Sequence, residues 1–131
     1  VLIAAEWALG AACPPMLCTG GRPSDAARLL LSSLHASSAR VRHHGDFDEA
    51  GVQILRDLQW RYGAVPWRFD VASLRAVLHR SARRVPEPPP ATLEKAVREL
   101  EDSVAEELVI DELLVDLRAA RDHAAGGRGR W

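Results

Sequence analysis

The sequence predicts an α/β fold, a mostly parallel sheet with flanking helices whose first strand is missing, followed by C-terminal helices. Three observations lead there. Short apolar or β-branched runs alternate with stretches of helical periodicity up to residue 85, the connections between them are short, and a proline-rich break then introduces a second helical stretch. Short alternating connections imply right-handed crossovers and parallel strands. The 131 residues suffice for one ordinary domain and its core. With 47% apolar and 27% charged residues, disorder of the whole chain is excluded. A net charge of -1 excludes nucleic-acid binding by bulk charge. No apolar run approaches the roughly 20 residues of a membrane span, so no membrane role is expected.

In chain order, the apolar residues 1–9 carry only Glu6 as a charge and stop at Gly10, a natural helix end. Residues 16–19 (MLCT), between a proline pair and a glycine pair, fit a short buried strand. Ser24 is placed to cap a helix whose apolar face would be Ala26, Leu29, Leu30 and Leu34, ending near Ser37-Ser38. Residues 40–44 form a second, polar strand. Helical spacing returns through Val52, Ile54, Leu55 and Leu58 and closes at Gly63. Residues 65–69 (VPWRF) are strand-like, with Pro66 favouring an edge or strand start. Asp70 would cap a helix through Val71, Leu74, Val77 and Leu78. That makes three strands, and the missing member of the sheet is expected before Val1.

Residues 1–85 are thus expected to form the α/β core and 86–90 (PEPPP) a stiff linker. Residues 91–121 would be a C-terminal helical segment of the same domain, and 122–131 a disordered glycine- and arginine-rich tail. Thr92 would cap a helix through Leu93, Val97 and Leu100. Helical spacing continues from Val104 through Leu108, Ile110, Leu113, Leu114 and Leu117. Cys13 and Cys18 are too few and wrongly spaced for a zinc ribbon or disulfide scaffold, so a reducing cytoplasm is the default. Sixteen of the 17 basic residues are arginine, which fits a GC-rich genome as well as phosphate binding.

The stretch with most chemical content is residues 43–51, HHGDFDEAG, which follows a strand and precedes a helix. Open parallel sheets bind ligands at such strand ends. In extended geometry Asp46 and Asp48 point the same way, about 7 Å apart, and repel by about 2 kcal/mol at an effective dielectric near 20. A hard cation such as Mg²⁺ turns that repulsion into attraction. The alternative is that one aspartate caps the helix starting near Ala50 while the other is a solvated turn residue. Spacing alone leaves both open.

The segments "CPPMLCTGGRPSDAARLLLSSL", "ARVRHHGDFDEAGVQI", "YGAVPWRFD" and "AEELVIDELLVDLR" resemble the C-terminal half of the Toprim-containing nuclease subunit of bacterial Wadjet-type plasmid-defence systems. The likeness runs from Val1 to about Leu117. It implies a Toprim-like, Rossmann-like fold and a DNA endonuclease that binds Mg²⁺ (or Mn²⁺) through an Asp-x-Asp and a glutamate on an earlier strand. Asp46 and Asp48 become the candidate metal ligands, and with Glu107, from the "EE" of the last segment, the candidate catalytic residues. Double-stranded DNA and the subunits of a condensin-like (SMC-type) motor complex are the implied partners, with a homodimer formed through the full-length protein. The glutamate-bearing strand would lie before Val1. Glu6 falls inside a helix and off the motif, and Gly20 stands where the family tends to be acidic. A truncated copy of this kind is expected to be inactive alone. The competing expectation is a non-catalytic remnant or interaction module. A receiver-like or phosphatase-like domain would need a further strand-end aspartate or lysine, for which Asp70 is the sole candidate.

Other residues carry two readings each. His43 and His44, neighbours on a strand, would face opposite sides, so that one could orient a phosphate or an aspartate but both could not serve one metal. Glu106 and Glu107 are extra metal or base groups, or partners of a helix dipole. Arg75, Arg80, Arg83 and Arg84 with His79 form either a phosphate-contacting run or a solvated helix face. Trp60 and Trp67 read as core or hinge anchors with a polar tip, Gly45 and Gly51 as backbone requirements, and Arg128 and Arg130 as a weak phosphate-binding tail.

Overall fold

Local capping chemistry builds most of the molecule. The computed structural model describes residues 1–85, 87, 89–100 and 104–126, without the side chains of 106, 107 and 123–126. Helix α1 (Leu2–Leu9) stops at Gly10, as its sequence predicts. Helix α2 (Asp25–Ala36) starts at Ser24, whose side chain accepts from Ala27 N. Helices α3 (Glu49–Tyr62), α4 (Val71–Arg80) and α5 (Leu93–Arg98) are capped in the same way by Asp48, Asp70 and Thr92. Each such cap is worth about 1 kcal/mol because it satisfies an otherwise orphaned backbone N–H. Gly63, at φ 65°, closes α3 in the left-handed conformation that glycine adopts without penalty. Among the described residues, no helix is long and apolar enough to cross a membrane.

The architecture is mixed α/β but mostly helical. Strands β1 (Arg42–His43) and β2 (Val65–Pro66) form a two-stranded parallel sheet, with Arg42 opposite Val65 and His43 opposite Pro66. The first of the three expected strands is not there. Residues 16–19 have no strand conformation, and Leu17 and Cys18 are exposed. A strand exists by pairing, and these residues find no partner edge; Cys13 and Met16 instead pack with Ala5, Leu9 and Leu117, joining α1 to the C-terminal helix.

Two other expectations are corrected. On α2 the buried residues are Ala27 and Leu31, while Leu29 is 71% and Leu30 47% exposed. That helix does carry an apolar side, but the fold covers only its edge at Ala27 and Leu31 and leaves Ala26, Leu29 and Leu30 open. From residue 104 the chain is not one helix: Val104 makes an antiparallel bridge to Phe47, a 3-10 turn follows at Glu106–Val109, and α6 (Ile110–Gly126) begins only there.

The main core gathers Phe47, Phe69, Leu74, Leu78, Val104 and Leu113 with smaller neighbours, uniting the loops after both strands with α4, α5 and α6. Full burial of each such side chain contributes about 1.5–3 kcal/mol. Leu93 and Leu100 pack against this core, although Leu100 lies beyond the end of α5. The prolines at 86 and 88 and the tail from 127 onward, including Arg128 and Arg130, lie outside the described residues.

Candidate functional site

The loop from β1 to α3 brings the chemistry-bearing residues together. Val65 N donates to Val41 O (3.0 Å) and Trp67 N to His43 O (2.7 Å), which fixes the end of the sheet. The chain then leaves the strand and tightens, with Asp48 N donating to Asp46 O at 2.9 Å. The backbone of this three-residue turn is more compact than the expected extended geometry. Between them Phe47 is fully buried, tilted against Phe69 with ring centroids 5.0 Å apart. Its backbone is held from across the molecule: Phe47 N donates to Val104 O at 2.8 Å. Asp46 is exposed and Asp48 half-buried, flanking this anchor.

Asp48 is the helix-capping residue of the pair. Its Oδ1 accepts from Gly51 N at 2.7 Å, leaving Oδ2 to face another group. Gly51 itself is demanded by the loop: a Cβ there would overlap the Asp46 carbonyl oxygen and come within 3.2 Å of Phe69 Cζ. Gly45 is closely approached too, since a Cβ there would lie 3.3 Å from His43 Nε2.

The two histidines correct the expectation of opposite faces. Both rings meet Phe69 edge-on, His43 at 5.9 Å and His44 at 5.8 Å between centroids, because the chain leaves the strand after His43. Both Nε2 atoms are buried without a hydrogen-bond partner. Burial, with a contribution from His44, holds the His43 imidazole down at about 4. His44 is also lowered by burial, against the opposing pull of its bond to the Trp67 carbonyl and of the Asp46 charge.

A second arrangement joins the residues after β2 to α6, and no motif or spacing announces it. Asp116 on α6 accepts from Trp67 Nε1 (2.9 Å) and from Arg68 Nε (2.8 Å) through Oδ2, and from Arg68 Nη2 (2.6 Å) through Oδ1. The guanidinium hydrogen bonds hold the Asp116 carboxyl below its ordinary range. Arg68 sits at φ 52°, a left-handed conformation costing a non-glycine residue of order 1 kcal/mol, and its two-point pairing with Asp116 accounts for its persistence. Trp67 therefore is an anchor with a bonded polar tip. Trp60 is not an anchor: it is 81% exposed, with the Arg61 guanidinium 5.2 Å from its ring centre.

The remaining candidates fall as follows. The Glu107 side chain lies outside the described residues, as does that of Glu106. Their backbone follows the Val104 bridge directly, and three residues of chain can carry Glu107 no further than about 11 Å from Val104. Asp70 caps α4 by accepting from Ser73 N. Arg75 pairs with Glu87, and Arg80 with Glu112. Glu6 is exposed on α1. Among the described residues, no three His, Cys, Asp or Glu side chains group as a metal site. Two carboxylates in one turn suit a hard cation that keeps most of its waters, as Mg²⁺ does.

A family model described as "Protein of unknown function C-terminus (DUF2399)" matches residues 1–117. No curated protein and no solved structure matches the chain.

Proposed function

The chain belongs to the DUF2399 family, and we propose that it is a Toprim-like, Mg²⁺-dependent DNA endonuclease domain of the kind carried by the nuclease subunit of Wadjet-type plasmid defence. The observation that carries this reading is the turn after β1. Two carboxylates flank a buried phenylalanine where a parallel strand gives way to a helix, the position at which α/β sheets bind ligands. Asp46 and Asp48 are the ligands for Mg²⁺ or Mn²⁺. Asp48 uses Oδ2, so that capping α3 through Oδ1 and holding a cation are compatible.

Two carboxylates hold such an ion weakly, and the reading calls for further acidic groups. Glu107 is one, on the segment that leaves the Val104–Phe47 bridge. When bound, the cation supplies Lewis-acid polarisation of the scissile phosphate and a lowered pKa for the attacking water. The protein's own part is to hold the two aspartates at fixed spacing, through Phe47 in the core and Gly51 beneath the Asp46 carbonyl. Double-stranded DNA is the substrate, the other subunits of a condensin-like complex are the partners, and the cytoplasm is the compartment.

One observation favours a second reading, a non-catalytic interaction module with the same fold. Asp48 already has a structural role, as the cap of α3.

The test uses the full-length protein with its partner subunits, circular plasmid and Mg²⁺. The Asp46→Asn, Asp48→Asn double variant keeps a capping side chain at 48, since asparagine caps as well as aspartate. Loss of cutting with an unchanged melting temperature supports the nuclease. A double variant that cuts like the parent refutes the assignment, and a parent that never cuts while still joining its complex leaves the module reading standing.

A further inference from the structure

We propose that Asp116 is a positioning residue for the loop that carries Asp46 and Asp48, acting from α6 through Trp67, Arg68 and His44 without touching a ligand itself. The proposal deepens the nuclease reading of that loop, and its metal-binding consequence rests on that reading.

Three donors from two consecutive residues converge on the one carboxylate: Trp67 Nε1, Arg68 Nε and Arg68 Nη2, all within 2.9 Å. Two side chains adjacent in sequence and clamped to one group fix the peptide unit between them. Trp67, whose carbonyl belongs to that unit, is bonded to the end of β1 through both of its backbone groups. Trp67 N donates to His43 O at 2.7 Å, and His44 Nδ1 donates to Trp67 O at 2.8 Å. Hydrogen bonds therefore run without a break from α6 to both histidines that precede the aspartate turn.

The last bond sets a chemical state. A carbonyl oxygen only accepts, so His44 Nδ1 must carry hydrogen, and in the neutral ring Nε2 then keeps its lone pair. That Nε2 is buried and unpartnered. The His44 ring is packed edge-on against Phe47 at 6.0 Å and Trp67 at 6.4 Å. Phe47 is the residue between the two aspartates, so the ring orientation fixed from Asp116 is passed by contact to the turn. A carboxylate placed only to secure α6 would need no more than the guanidinium. The added indole bond and the strained Arg68 backbone tie the clamp specifically to the residue that orients His44.

The experiment compares the full-length protein with its Asp116→Asn, Asp116→Glu and Arg68→Lys variants at one neutral pH. Two readouts are taken: side-chain nitrogen NMR of His44 and Mn²⁺ affinity. The parent is expected to show one His44 tautomer, hydrogen on Nδ1. Asp116→Asn and Arg68→Lys, which each break the two-point pairing while leaving a folded surface contact, are expected to give tautomer averaging and Mn²⁺ binding about tenfold weaker. Asp116→Glu is expected to recover part of both. A His44 spectrum unchanged in both breaking variants overturns the proposal. Absence of Mn²⁺ binding by the parent would count against the nuclease reading alone, because the nitrogen spectrum still decides the role of Asp116.

Discussion

Replacing Gly51 with alanine should destabilise the domain, although alanine is the better residue inside a helix by up to about 1 kcal/mol. The added Cβ would overlap the Asp46 carbonyl oxygen, 3.3 Å from its carbon and 3.2 Å from Phe69 Cζ. The carbonyl cannot step aside alone. It accepts the Asp48 N–H at 2.9 Å, and the next residue, Phe47, is buried and bridged to Val104. Relief therefore requires moving the whole turn, at an overpacking cost of about 1–3 kcal/mol, with about 1 kcal/mol more if the Asp46–Asp48 hydrogen bond breaks. Subtracting the helix gain leaves a net loss of about 2 kcal/mol. For a chain of this size that lowers the melting temperature by about 8 °C.

Thermal unfolding followed by circular dichroism measures this directly. Ala50→Gly, at the exposed preceding position of the same helix turn, calibrates propensity alone and should cost about 1 kcal/mol. If Gly51→Ala melts at or above the parent temperature, Asp46 is not packed on the first turn of α3, and the geometry assigned to the aspartate pair is wrong.

Removing the cap with Asp48→Ala should cost about 1 kcal/mol, while Asp48→Asn should melt within a degree or two of the parent, since both carry the acceptor that Gly51 N requires. Acid should weaken the fold through His43. Its folded pKa of about 4 lies below the unfolded 6.5, so its contribution is complete above 6.5 and lost as pH falls toward 4. His43→Phe, which keeps a ring beside Phe69, should remove about 2 kcal/mol of that pH dependence in urea titrations, allowing for partial solvent access. A residual slope from His44, also lowered, is expected. An unchanged slope in His43→Phe would mean that the ring is not buried in its neutral form.

What the sequence made legible was whatever its own neighbours decide. Ser24, Asp70 and Thr92 could be read as caps because a side chain bonding the N–H three residues on needs nothing from the rest of the molecule. The same holds for Gly63, whose αL conformation closes α3 within a single turn. Residues 16–19 failed for the opposite reason. Their composition suits a strand, but a ladder needs an edge to pair with, and composition does not say whether one is present. On α2 an apolar side is readable, but not how much of it is covered: tertiary packing of Leu31 with Leu58 and Ala64 buries one edge, and Leu29 and Leu30 stay open.

The candidate loop divides along the same line, and the division bears on its function. The Asp-x-Asp, its place between strand and helix, and the need for Gly51 were all readable in nine consecutive residues. The restraints that hold it were not: Val104 lies 57 positions after Phe47, and Asp116 lies 49 after Trp67 and 48 after Arg68. Nothing in the spacing of "PWRF" announces that its indole and guanidinium share an acceptor on the last helix. A local motif with its anchors in the C-terminal segment can be formed only when that segment has docked, because Phe47 has no strand partner until Val104 arrives. The two aspartates are accordingly unequal. Asp48 is held by its own helix through a bond that survives loss of the distant segment, whereas the turn that places Asp46 depends on the bridge. Disturbing the docked C-terminal segment should therefore displace Asp46 while leaving the Asp48 cap intact.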